Sequence, residues 1–174
     1  MFEKIKSDFK GIAWLLIVVG VVVNGAGALA MSKTGLPLYL DSIGTVFVAV
    51  VAGPWAGALT GLLTNLILGV VSPGYAPYWS VPLLSGLVTG FLANAGWFKH
   101  WLKVFALGLI IAALAAVMSS LIAGIVFGNF TFNLAYFLVE EPVDKVATAF
   151  IVFIVLQFLP KRWIALFPRR ENMD

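Results

Sequence analysis

The side chains able to do chemistry in this chain are few and bunched. Asp41 stands in the run Leu38-Tyr39-Leu40-Asp41-Ser42, and Asp144 and Lys145 follow Pro142, with Glu140 and Glu141 just before it. Tyr39, Tyr75, Tyr78, Trp79, Asn129, Asn133 and Tyr136 supply phenols, an indole and amides near the same stretches. That set suits recognition of an organic solute by stacking and hydrogen bonding. It does not suit catalysis. There is one histidine, His100, and no cysteine, so thiol chemistry and Cys-ligated metals are excluded and a multi-His site is not available. No Gly-x-x-x-x-Gly-Lys-Ser/Thr phosphate loop, Gly-x-Ser-x-Gly elbow or His-Glu-x-x-His motif occurs. An Asp41/Asp144 acid pair would lack a Gly-x-Gly-Asp setting. No cofactor and no metal are expected.

The elements that must hold these groups are membrane helices. The chain is 61% hydrophobic and 11% charged, against about 25% charged in soluble domains. Its apolar runs are continuous rather than alternating, which favours helices over a barrel. Six spans are expected, at about 11–30, 40–52, 55–71, 79–95, 104–127 and 143–159, forming one all-α domain over residues 1–174. The second is short. Gly53-Pro54 turns it into the third, the stretch 72–78 is a breaker-rich loop, and 128–142 is read as a longer loop. The residues 2–10 are amphipathic, and the apolar run after them is too long for a cleavable signal.

Basic residues give the orientation. With six spans, Lys4, Lys6, Lys10, Lys99, Lys103, Lys161, Arg162, Arg169 and Arg170 share one side, and Lys33 and Lys145 the other. Both termini are therefore expected to be cytoplasmic, in the plasma membrane of a prokaryote. The scattered basic residues lack a stacking platform, so nucleic acid is not an expected partner.

Acidic residues at membrane depth are costly and mark function. Asp41 either does so or caps its own helix. Asp144 and Lys145 are expected at the interface, capping and snorkelling, and Glu140 and Glu141 are expected in water. The aromatics double as an interfacial belt. Asn24, Thr60, Thr64, Asn65, Ser85, Thr89 and Asn94 read as interhelical hydrogen bonders that together would line a polar pocket. The expected binding residues are thus Tyr39, Asp41, Asn65, Tyr75, Tyr78, Trp79, Asn129, Asn133, Tyr136 and Asp144. Small residues recur every fourth position at Gly53, Gly57 and Gly61, at Gly86 and Gly90, and from Gly108 to Gly128. Such rows let helices approach closely, inside the bundle or against another subunit. Gly20, Asn24 and Ala28 form a row suited to docking a partner helix.

Three segments carry a family resemblance. They are Leu36-Pro37-Leu38-Tyr39-Leu40-Asp41-Ser42-Ile43-Gly44-Thr45, Gly53-Pro54-Trp55-Ala56-Gly57-Ala58-Leu59-Thr60-Gly61-Leu62-Leu63-Thr64-Asn65, and the tail from Pro142-Val143-Asp144-Lys145 to Leu159-Pro160-Lys161-Arg162. The chain resembles the substrate-binding S components of energy-coupling factor (ECF) transporters. The resemblance implies capture of a vitamin or related micronutrient at the outer face. It also implies a separate transmembrane coupling subunit, two ATPase subunits that power uptake, and toppling of the S component in the lipid membrane to carry its ligand inward.

With Lys33 and Lys145 the only outer cations, a polyanionic ligand is not expected. A bulky, mostly neutral, amide-rich molecule is, with cobalamin the first choice. Riboflavin, a queuosine precursor, a pyrimidine vitamin precursor and pantothenate are the alternatives. A structural or sensory membrane component acting only through helix contacts is the competing function, and a membrane enzyme a remote third.

Overall fold

The computed structural model describes residues 2–34, 38–128 and 130–172, and all regular structure among them is helical. Eight α-helices follow one another: α1 (Phe2–Asp8), α2 (Ala13–Met31), α3 (Ile43–Ala52), α4 (Pro54–Val71), α5 (Ser80–Asn94), α6 (Trp101–Phe127), α7 (Phe130–Phe158) and α8 (Lys161–Ile164). Short 3-10 turns lie at Pro73–Tyr78, Trp97–Lys99 and Arg170–Asn172. Three helices are long and apolar enough to cross a membrane: α2, α4 and the Trp101–Val126 stretch of α6. This is the architecture of an α-helical membrane protein.

Helix α3 sits at the centre, packed by α2, α4, α5 and α7. It has only 10 residues, about 15 Å at 1.5 Å per residue, half the bilayer core. Protein rather than lipid surrounds it: Val46, Val48, Val50 and Val51 are all fully buried. On α2 the burial is one-sided. Leu16, Ile17, Gly20, Asn24 and Ala28 face inward, while Trp14, Leu15, Val18 and Val22 are exposed, as a lipid-facing surface requires.

Glycines set the helix spacing. A Cβ on Gly44 would fall on the Gly20 backbone, one on Gly86 on the backbone of Gly57, and one on Gly90 on Pro54. The rows at 53–61 and 86–90 are therefore internal. So is the α2 row, which corrects the docking expectation for Gly20, Asn24 and Ala28. Gly20 meets Thr60 and Val48. Asn24 donates to the Thr45 and Thr64 hydroxyls at 2.9 Å each and accepts the Gly44 N–H at 2.6 Å. A buried amide with these bonds ties α2 to α3 and α4, so this row faces the bundle interior.

The stretch 128–142, expected as a loop, is mostly helix. Gly128 ends α6 in the left-handed conformation (φ 79°), and α7 then runs through Pro142. Proline lacks the N–H that the Leu138 carbonyl would use, yet the helix continues because its polar face finds internal partners, described below. At the opposite end of the bundle, Gly53 (φ 110°) and Pro54 make the tight α3–α4 turn. Asp8 accepts the Trp55 N–H there at 3.1 Å and pairs with Arg169 at 2.6 Å. Asn172 donates to the Val50 carbonyl at 2.8 Å and to Asn94 at 3.0 Å.

Candidate functional site

The site is assembled by α7. Tyr136, Glu140 and Asp144 form one i, i+4 stripe on it, and Phe137, Glu141 and Lys145 the neighbouring one. Asp144, fully buried, accepts the backbone N–H groups of Tyr39 and Leu40 through one oxygen, both at 2.8 Å. Two N–H groups on one carboxylate oxygen hold the α2–α3 connection against α7. Leu40 adopts φ 49° at this point, a left-handed conformation that costs a leucine energy. Gly27 makes room for it, since a Cβ there would strike the Leu40 carbonyl.

The second Asp144 oxygen lies 2.6 Å from the Lys145 ammonium. Glu141 is 3.3 Å and Asp41 3.9 Å from the same ammonium, and Ser42 receives a hydrogen bond from it at 3.4 Å. Ser42 donates to Asp41 at 2.8 Å. Neighbouring this cluster, Glu140 accepts the Tyr39 phenol at 2.6 Å and, by a very short bond, the Tyr136 phenol.

These arrangements overturn three expectations. Glu140 and Glu141 are buried rather than in water. Lys145 is 5% exposed and does not snorkel. Asp41 does not cap α3: the cap position belongs to Ser42, which makes no capping bond.

Beside the cluster a cavity of about 340 Å³ opens between the α2–α3 connection, the 73–78 turn and α7. Of the residues expected to bind, Tyr39, Asp41, Asn65, Tyr75, Tyr78 and Tyr136 line it. Asp144 does not: it is buried behind the wall and positions Tyr39 and Lys145. Trp79 does not line it either; it begins the turn into α5, 45% exposed. Asn129 lies outside the described residues, and so does the side chain of Asn133. Ser85, one of the expected interhelical hydrogen bonders, also lines the cavity. Sequence reasoning missed Ser42, Ser119, Phe137, Glu141 and Lys145 as lining residues. The spacing 137, 141, 145 was the available signal, hidden once 128–142 was read as a loop.

Burial raises the phenol pKa values of Tyr75 and Tyr78, with Asp41 adding to the shift at Tyr75. Burial, then the bond to Glu140, raises that of Tyr39 well above the usual range. All three phenols are neutral at physiological pH. Among the described residues no three His, Cys, Asp or Glu side chains are grouped to hold a metal ion; the Lys145 ammonium occupies the point where the carboxylates converge.

No family model, no curated protein and no solved structure matches the chain. The chamber itself is aromatic and hydrogen-bonding, walled by four tyrosines, a phenylalanine and an asparagine beside a charged cluster. Chambers of this volume and mixed lining hold small organic molecules.

Proposed function

We propose that this chain is the substrate-capture S component of an ECF-type importer for a vitamin or related micronutrient. It would cross the membrane six times with both termini cytoplasmic, and a separate transmembrane coupling subunit with two ATPase subunits would power uptake. The carrying observation is the position of the cavity. Its walls come from the α2–α3 connection, the α4–α5 turn and the first half of α7, and the two connections and the starting end of α7 fall on the outer side in the orientation the basic residues favour. Arg169, beside Asp8 and the α3–α4 turn, lies at the opposite end. The site itself contributes binding groups, and energy would come from the partner ATPases.

The volume argues against cobalamin. About 340 Å³ is at the low end of the roughly 300–1,000 Å³ range of pockets for drug-sized ligands, and a corrinoid is far larger than such a ligand. Smaller candidates, the pyrimidine precursor, the queuosine precursor and riboflavin, are favoured over it.

The test is co-expression of the tagged chain with an ECF coupling subunit and its two ATPases in cells lacking their own vitamin uptake. The expected result is one stable complex and ATP-dependent accumulation of one vitamin. A chain that never associates with such a complex and supports no uptake refutes the proposal.

A further inference from the structure

We infer that the cavity selects a compact ligand bearing a positively charged nitrogen, received between the carboxylates of Asp41 and Glu141. The inference rests on the capture reading above and specifies its ligand.

The first ground is charge. Asp41, Glu141 and Lys145 all line the cavity, and Asp144 lies directly behind. Three carboxylates thus surround one ammonium within 3.9 Å, and Glu140 adds a fourth nearby, shared by two phenols. Lys145 is held within the cluster: it donates to Asp144 at 2.6 Å and to Ser42 at 3.4 Å and pairs with Glu141 at 3.3 Å. No cation is left over for an anionic ligand, while the carboxylates outnumber their partner. Surplus buried charge of one sign is unfavourable, and a ligand cation would offset it.

The second ground is independent of the acidic cluster. Ser119 is 4% exposed and lines the cavity, and no hydrogen bond engages its hydroxyl among the described residues. Asn65 is 5% exposed and lines it too. Its amide makes a single long bond, 3.5 Å to the Tyr75 carbonyl, and its own carbonyl oxygen accepts none. Buried polar groups left unmade are costly. Aimed into a chamber, they are reserved for a ligand, and the open acceptors on Asn65 and Ser119 suit one rich in N–H donors. The third ground is the wall: Tyr75, Tyr78 and Phe137 line the chamber, and the quadrupole of an aromatic ring attracts a cation.

The test uses the full chain in nanodiscs and three probes sharing one ring: tryptamine (cation), tryptophol (neutral) and indole-3-acetate (anion), at pH 7. Tryptamine is expected to bind at least about tenfold tighter than indole-3-acetate, the scale of one charge-assisted hydrogen bond. The D41N/E141Q double variant is expected to erase that preference. Native mass spectrometry of the wild-type chain from rich medium should release a molecule that migrates as a cation. Equal or reversed probe order, or a released neutral or anionic compound, overturns the charge assignment and leaves the capture reading standing. A chain that releases no compound and binds no probe overturns both.

Discussion

Tyr39 and Asp144, 105 residues apart, are joined by a 2.8 Å hydrogen bond from the Tyr39 backbone N–H to the Asp144 carboxylate. This bond closes the chamber: it fixes the connection carrying Tyr39, Asp41 and Ser42 against the helix carrying Glu140, Glu141 and Lys145. Asp144→Ala removes the acceptor of two backbone N–H groups and one partner of a buried ammonium. Breaking a buried pair costs about 3–5 kcal/mol. A fall in thermal unfolding temperature in detergent, with loss of ligand binding, is the expected outcome; an unchanged melting curve would count against the clasp.

Lys145 is the sole cation among the described groups of the cluster, so Lys145→Met leaves Asp41, Glu141 and Asp144 facing one another. The single variant is expected to lose about 3–5 kcal/mol. Adding Glu141→Gln should restore part of it, because like-charge repulsion falls. The double-mutant cycle, read by thermal unfolding, checks the sign: two additive losses would contradict the coupling.

Tyr39→Phe deletes the 2.6 Å bond to buried Glu140. A hydrogen bond to a charged group contributes about 1.5–3 kcal/mol, and Tyr136→Phe, at a more exposed ring, should cost less. The Tyr39 phenol pKa is raised from the ordinary 10.0 by burial and by Glu140. Its contribution is therefore fully present below about pH 10 and lost as the pH climbs from there towards the folded-state value. Between pH 7 and 9 the wild type and Tyr39→Phe should keep a constant stability difference, measured by melting across that range.

Asn24 and Gly44 test the inner seam. Asn24→Leu loses three interhelical bonds; at about 0.6 kcal/mol each, the loss is about 2 kcal/mol. Gly44→Ala forces a methyl into the Gly20 backbone and should separate α2 from α3, at an overpacking cost of about 1–3 kcal/mol or more. Gly74→Ala, with nothing near its added Cβ, is the tolerated control. Yield of monodisperse protein on size exclusion ranks the three.

The helices were legible where hydropathy alone decides them. Apolar runs around α2, α4 and α6 read as helices because lipid leaves the backbone no other partner, and Gly53-Pro54 read as a turn because proline suits a first helical position. The 128–142 stretch reads as a loop for the same reason: its carboxylates and proline signal water, and partners from elsewhere hold the carboxylates in a helix. Tyr39, Asp41, Tyr75, Tyr78 and Tyr136 were legible as a group, since aromatic and acidic residues near apolar ends are few. Glu141 and Lys145 as lining residues were not, because their role depends on the helical register of α7.

Sequence by itself determined the membrane-helical class, the existence of the small-residue rows and most of the aromatic wall, because each follows from residue type and local spacing. Tertiary structure alone decided that Gly20, Asn24 and Ala28 face inward, that Asp144 braces the chamber instead of lining it, and that three carboxylates enclose Lys145. The Asn24 bonds join residues 20 to 40 positions apart and the chamber contacts join residues 103 to 105 apart, and the energy of such a contact is set by geometry that no local pattern encodes.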